Sequence, residues 1–564
     1  MKFFILITIS FLVYSNTLKN SFVWDDISII VNNKWIRTPL NFFKFFYLKD
    51  TVSEDTRQKP KIYRPLTTFS YSIDYFLWKL SSFGYHLSNL IFHSLTVIVV
   101  YLLSEKFFEK KIISFISASI FALHPVHTEA VSWIKGRADV IACMFGLLAF
   151  LFYIVYLDKK KISFYVMSLI SFTLSLFSKE STITIVVVLI IYDLIFKKRI
   201  FFKNYIFYIL ISIIYIFIRK SVLGSIAMCS WWGGSEYYTF LTMTKVFVEY
   251  FRLLIFPVNL CADYVVELSF SLWEYKVLLS LFFVIFLIII GIFLAKRYPV
   301  ISFGVFFIFI TLIPVSNIIP IEVLLAERFL YLASFGICLI LGEIFKKIYY
   351  LNKKVCYMAF LLISLPYFLL TYQRNKDWKD EFTLWYKTVN QCPNNFRAHN
   401  NLGMEYEKKG DLDNALKHYK KALTLVPNLS WIYNDTKQMY ARVHSNIGNV
   451  YLKKKSFNDA FYHYNKSINL DPFYSQAYFN LGILYRQIGD IDLAIKYYKK
   501  AIELNPYIAE YYNNLGVAYA LKNNFDEAIV NYEKAINFSL DENFKNQVYK
   551  NIEIAKSFLN KNRK

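Results

Sequence analysis

No Walker loop, no GxSxG elbow and no dinucleotide-binding glycine fingerprint occurs in the 564 residues. ATP-driven transport and serine hydrolysis are therefore disfavoured. The six cysteines are scattered and none stands in a CxxC pair, which excludes a disulfide scaffold or a zinc ribbon. Charged residues are scarce at 19%, and acidic ones scarcer still, 41 against 64 Lys and Arg, for a net charge of +23. A basic excess can indicate nucleic acid. Here, in the first two thirds of the chain, most of it falls in short clusters between apolar runs, the placement that orients a membrane protein. Nucleic acid is not an expected partner. What is abundant is apolar: 56% hydrophobic and 20% aromatic, with 55 Phe and 45 Tyr, above the roughly 45–50% apolar usage of soluble domains.

The apolar residues are concentrated in 1–373, in run after run near the roughly 17–25 residues that cross about 30 Å of hydrocarbon as helix. Spans are predicted near 3–18, 86–105, 112–123, 138–157, 162–177, 182–196, 204–218, 273–295, 299–319, 329–345 and 355–372, about eleven in all. The first ends Tyr14-Ser15-Asn16-Thr17, without a small-x-small cleavage site, and reads as an uncleaved helix, not as a signal peptide. Basic clusters at Lys106/Lys110/Lys111, Lys159–Lys161, Lys197/Lys198/Arg199/Lys203, Lys296/Arg297 and Lys346/Lys347/Lys353/Lys354 all become cytoplasmic if 239–256 lies in the interface. That segment carries Lys245, Glu249 and Arg252. The first loop, 19–85, and everything after 373 then lie outside.

Beyond 375 the composition turns to Asn, Lys, Glu and Tyr with helical periodicity. One pattern recurs at fixed offsets: Gly403, Tyr406, Ala415, Tyr419, Ala422, Pro427, then from Gly448, Gly482 and Gly516. The steps are 45, 34 and 34, the first holding an eleven-residue insertion around 430–440. The pattern resembles the 34-residue tetratricopeptide repeat. The reading is an all-α chain: a membrane domain (1–373), a connector or half-repeat (374–395), four repeats (396–429, 441–474, 475–508, 509–542) and a capping helix and tail (543–564). The recurring Tyr and Ala are packing positions. Asn400, Asn401, Asn480, Asn513 and Asn514 are placed near the groove that such arrays use to hold a protein partner.

Ionisable residues in a membrane body are functional candidates by default. First come Asp25 and Asp26, a carboxylate pair after the first span, suited to act as base, metal ligand or both, so a divalent cation is an open alternative. Arg64 beside Pro65 is the second feature. Third is His124, His127 and Glu129, running on to Arg137 and Asp139, a set that also offers zinc-type ligands. Lys179-Glu180 and Glu327-Arg328 stand in later outer turns. Converging on one face, these would form an anion-handling pocket. His86 and His93 read equally well as helix contacts or as ligands.

The ordered set Trp24-Asp25-Asp26, Tyr63-Arg64-Pro65-Leu66, Tyr85 to Leu90, His124-Pro125-Val126-His127-Thr128-Glu129, Gly136-Arg137-Ala138-Asp139, Ser178-Lys179-Glu180, Leu254 to Leu260 and Glu327-Arg328 resembles the transmembrane and tetratricopeptide-repeat O-mannosyltransferases, over nearly the whole chain. The resemblance implies a GT-C-like fold and a lipid-phosphate sugar donor, polyprenyl or dolichyl phosphate with mannose as the expected sugar. It implies transfer to Ser or Thr of an acceptor protein bound by the repeats, in the inner membrane of a bacterium or the endoplasmic reticulum of a eukaryote. Asp25 or Asp26 is the expected base. Arg64, Arg137, Lys179 and Arg328 are the expected phosphate partners, and His124 and His127 would orient donor groups. Two other readings share many of the features: a lipid-linked glycan ligase or polymerase, and a non-catalytic membrane-anchored repeat scaffold.

Overall fold

The computed structural model describes residues 1–47, 62–225, 227, 229–425 and 433–562. All regular elements among them are helical. The chain divides into two compact units, one ending at Cys392 and the other beginning at Pro393.

In the first unit each of the eleven apolar runs falls on a helix. This is the expected outcome in hydrocarbon, where every backbone group must be satisfied within its own segment. Seven helical segments are long and apolar enough to cross a membrane: Lys2–Lys19, Ser82–Ser104, Ile134–Lys159, Ile206–Leu223, Tyr275–Arg297, Glu327–Leu351 and Lys353–Trp378. Lys111–Leu123, Ile162–Ser178 and Pro299–Val315 are shorter, and the run at 182–196 is an eight-residue helix, Ile185–Tyr192, continued by a π turn. The charged segment 239–256 is the helix Glu236–Ile255.

Two opposite ends of this unit collect different chemistry. At one, Lys106 and Lys197 both reach Asp158 (3.0 and 3.7 Å), so three basic clusters share one face. Lys347 lies over the Tyr298 ring at 3.6 Å, which brings the last two clusters together as well. At the other end the helices are joined by short turns rich in acids and bases. Residues 374–392, read from the sequence as a connector and half-repeat, belong to this end of the first unit. Asn375 bonds the Val13 carbonyl and Asn16 (2.8 and 2.9 Å), and Trp378 stacks on Trp133 (5.6 Å). A disulfide joins Cys261 to Cys392, a link across 131 residues that no spacing in the sequence announces. Cys143, Cys338 and Cys356 are free and buried.

The second unit is an array of helix pairs: Phe396–Lys408 with Leu412–Leu425, Tyr433–Lys453 with Phe457–Leu470, Ser475–Ile488 with Ile491–Leu504, and Ala509–Leu521 with Phe525–Phe538. A Cβ on Gly403, Gly448, Gly482 or Gly516 would lie 2.5–2.7 Å from the ring of Tyr419, Tyr464, Tyr498 or Tyr532. The repeating glycine is thus the notch into which the repeating tyrosine fits. Pro427 and the first residues of the insertion lie outside the described residues. The remainder of the insertion lengthens the first helix of the second repeat to 21 residues. The final helix, Glu542–Asn562, lays Val548, Ile552 and Ala555 on Tyr512 and Tyr532.

Candidate active site

Four acid–base pairs meet at the end of the first unit opposite the basic clusters. Asp25 is ion-paired with the Lys135 ammonium. Arg64 forks onto Glu180 through Nε (3.2 Å) and Nη2 (2.8 Å). Lys179 pairs with Asp139 at 2.5 Å, and Arg328 pairs with Glu129, whose second oxygen accepts the Arg328 amide at 2.8 Å. Shared aromatic rings bring three of the cations together. Lys135 and Arg328 lie 5.2 and 5.5 Å from the Trp133 centroid. Arg328 and Lys179 lie 4.9 and 5.1 Å from that of Phe329. Arg64 joins them through Glu180, the chain neighbour of Lys179.

Two small clefts open at this cluster. One is lined by Arg64 and Lys135 with Thr67, Thr68, Tyr71 and Asn33. The other runs from Asp139 and Lys179 to apolar walls at Cys143, Val315, Phe329 and Leu332.

The adjacent carboxylates have different environments. Trp24 takes a positive φ of 56°, stacked on Trp133 at 4.9 Å and with its amide bonded to Glu381 (2.6 Å). This turn directs Asp26 inward and Asp25 outward. Asp26 is 0% exposed; its two oxygens accept the amides of Val23 (3.1 Å) and Lys135 (3.0 Å). Burial pushes its carboxyl up to about 8, against the pull of those amides. Asp25 keeps 36% of its side chain exposed. Asp25 faces an ammonium, and each Asp26 oxygen holds one amide. Among the described residues no group of three His, Cys, Asp or Glu converges.

Burial and two neighbouring cations bring the Lys179 ammonium down to about 8 despite Asp139. Glu180 is also buried, but Arg64 holds its carboxyl well below the usual range.

Several expected site residues are placed elsewhere. His124 and His127, expected to orient donor groups, are fully buried. His124 bonds the Leu254 carbonyl (3.0 Å) and His127 the Ser334 hydroxyl (2.7 Å), while His127 packs on Phe121 and Tyr331. Their place is in the packing. Arg137 points away from the clefts into a closed network of Asp74 (2.6 Å), Asn89 (2.6 Å) and the Tyr85 carbonyl (2.8 Å). Glu327 is buried with Arg374 (3.2 Å) and Tyr264 (2.9 Å) and does not reach the clefts. Glu129 is buried and acts by holding Arg328. Lys135 is the residue that sequence reasoning passed over. It stands inside the motif run, and the signal is Gly136 after it: a Cβ there would lie 2.6 Å from the Ala130 and Glu129 carbonyls, so the turn that carries Lys135 is pressed against the preceding helix.

Residues 64–222 match the family described as Dolichyl-phosphate-mannose-protein mannosyltransferase. Residues 396–429, 475–507 and 509–538 match the Tetratricopeptide repeat, and 448–489 match TPR repeat. A Caenorhabditis elegans protein O-mannosyl-transferase is 31% identical over 444 residues, 75% of this chain and 62% of the relative. The human protein O-mannosyl-transferases TMTC1 and TMTC3 are each 28% identical, over 76% and 74% of this chain and 56% and 50% of their own lengths. The chain thus spans about half to three fifths of the curated relatives it matches. On both its membrane part and its repeats, the chain is similar to the transmembrane and tetratricopeptide-repeat O-mannosyltransferases.

Proposed function

We propose that the chain transfers mannose from a polyprenyl or dolichyl phosphate to a Ser or Thr hydroxyl of an acceptor protein, on the extracytoplasmic or lumenal face. The observation that carries this reading is Asp25, the most exposed carboxylate of the four pairs, ion-paired with Lys135, which with Arg64 lines one cleft while Lys179 lines the other. Asp25 takes the acceptor hydroxyl proton as the oxygen attacks the anomeric carbon. The bond from that carbon to the phosphate oxygen breaks, and the electron pair leaves with the lipid phosphate. Arg64, Lys135, Lys179 and Arg328 stabilise the charge that develops there, in a site already poor in water. Their own acidic partners hold them in place until the phosphate arrives. One displacement inverts the anomeric centre. Asp26 fixes the loop. Lys135 serves twice, its amide anchoring Asp26 and its ammonium orienting Asp25. The apolar walls of the second cleft accommodate the first isoprene units. The Cys261–Cys392 disulfide supports the oxidising side of the membrane for this face. The repeats bind the acceptor protein, a reading supported by their match to the tetratricopeptide repeat.

The test is purified chain in lipid nanodiscs, given polyprenyl-phosphate [³H]mannose with and without protein from its own cell envelope or lumen. Label should enter protein at Ser or Thr. Label entering only glycan would instead favour a lipid-linked glycan ligase, and no release of lipid phosphate under any condition would sink the enzymatic reading.

A further inference from the structure

The chain has eight histidines, and the four in the repeat unit form two pairs. His399 and His418 face each other with Nδ1 atoms 2.9 Å apart, and so do His444 and His463. Both pairs occupy the same register, four residues before and fifteen after Gly403 or Gly448. A tyrosine flanks each pair, Tyr406 stacked on His418 (5.4 Å) and Tyr451 on His463 (5.5 Å).

The neighbouring repeats show what this register does without histidine. In the third, the same two positions are Tyr478 and Tyr497, and in the fourth Tyr512 and Asn531. Tyr478 and Tyr512 bond the exit-turn carbonyls of Pro472 (3.2 Å) and Pro506 (3.0 Å). His399 makes the same bond to Pro393 (3.0 Å) through Nε2. The packing and the turn contact are therefore available to tyrosine. What the histidine pairs add is two ring nitrogens 2.9 Å apart.

We propose that each pair is a binding site for a late first-row divalent transition-metal ion, of the kind that imidazole favours: Cu²⁺, Ni²⁺ or Zn²⁺. Two protein nitrogens and water complete the coordination, since no third ligand-type side chain converges among the described residues. The proton positions allow it. Because His399 Nε2–H donates to Pro393, its Nδ1 carries a lone pair, which accepts from His418 Nδ1–H. Moving that one proton to His418 Nε2 frees the second lone pair with no net proton release. A carbonyl on the far nitrogen is also the outer partner by which ligating histidines are usually oriented. A tetrahedral ion at about 2.0–2.1 Å from each nitrogen needs the two atoms about 3.3 Å apart, an opening of roughly 0.4 Å. Lys417 beside the first pair and Lys466 beside the second limit affinity by repulsion, while Asp459 near His463 offsets part of it. A bound ion would staple the two helices of each of the first two repeats.

The experiment uses the full-length chain in detergent, without a polyhistidine tag, titrated with Ni²⁺ and Cu²⁺ by equilibrium dialysis. Wild type should take up two ions, His399→Tyr/His418→Tyr one, and the quadruple variant, which also carries His444→Tyr/His463→Tyr, none within tenfold of the wild-type affinity. Tyrosine is chosen because the third repeat already uses it at both positions. Independently of any variant, electron paramagnetic resonance of the Cu²⁺ form should show two equatorial imidazole nitrogens per ion. Equal uptake by wild type and quadruple variant, no uptake by wild type, or a spectrum without paired imidazole nitrogen overturns the proposal.

Discussion

Replacing Asp25 with Asn keeps the shape of the side chain and removes its ability to accept a proton. Turnover should fall by about 10²–10⁴, the usual contribution of a general base, with donor binding and melting temperature unchanged. Asp26→Asn tests the neighbour separately. One of the two amides at Asp26 then faces an NH₂ group, and a buried donor left without an acceptor costs about 1–3 kcal/mol. Its pH dependence has a defined sign. The folded-state carboxyl is raised to about 8 from 3.8, so the folded chain holds a proton that the unfolded chain releases. The stability this contributes is complete below pH 3.8, declines as pH rises, and is gone above about 8. Melting curves of wild type should therefore fall relative to Asp26→Asn across that window, and parallel curves would remove Asp26 as their source. The carboxylates were legible because an acid pair at a membrane boundary is costly to keep there. Their separate tasks were not, since they depend on the positive φ at Trp24 and on Lys135, 110 positions away along the chain. For His124 and His127 residue type shows only that a side chain can bind a ligand; that both rings are buried on Leu254 and Ser334 was not readable from it.

At the scale of elements, each apolar run read from the sequence lies on a helix, because a bilayer leaves the backbone few alternatives, whereas the helix Pro65–Trp78 inside the first loop was not read. Residues 374–392 carry the same amphipathic pattern as a repeat helix, yet their tryptophans and asparagines are used against Trp133 and the first helix. Sequence alone could not separate those partners. In the array, the recurring tyrosines and alanines were read as packing positions, and the glycine facing each tyrosine gives that packing a size. Gly482→Ala puts a methyl 2.5 Å from the Tyr498 ring, an overpacking that typically costs about 1–3 kcal/mol. Gly489→Ala is the contrasting case, for there a Cβ meets nothing within 4 Å and only the positive φ of 93° is strained. Its cost should be nearer 1 kcal/mol. Differential scanning calorimetry of the full chain should show the repeat transition lowered more by the first change than by the second, and the membrane transition unmoved by either. A repeat transition indifferent to Gly482→Ala would mean that the tyrosine ring can move aside.

For the molecule as a whole, sidedness decides whether the proposed chemistry has access to its donor and acceptor. Two independent features of the first unit bear on it. The basic clusters gather at one end, with Lys106 and Lys197 on Asp158, and lysine-rich loops stay cytoplasmic. The disulfide and the acid–base cluster belong to the opposite end, and disulfides persist where the surroundings oxidise. Leu40 lies in the first outer loop and is 89% exposed. Asp541 is exposed in the connection before the last helix, and Lys159 is exposed at the basic end. With Cys229 replaced by Ser, the free cysteines Cys143, Cys338 and Cys356 are buried. Leu40→Cys and Asp541→Cys should then react with a membrane-impermeant maleimide on intact cells or right-side-out vesicles, and Lys159→Cys only after permeabilisation. Because the repeats follow the last apolar helix without another crossing, labelling of Leu40→Cys and Asp541→Cys from opposite faces would require Glu236–Ile255 to traverse the bilayer. That outcome would separate the repeats from Asp25 by a membrane, and acceptor capture by the repeats could no longer serve the site proposed here.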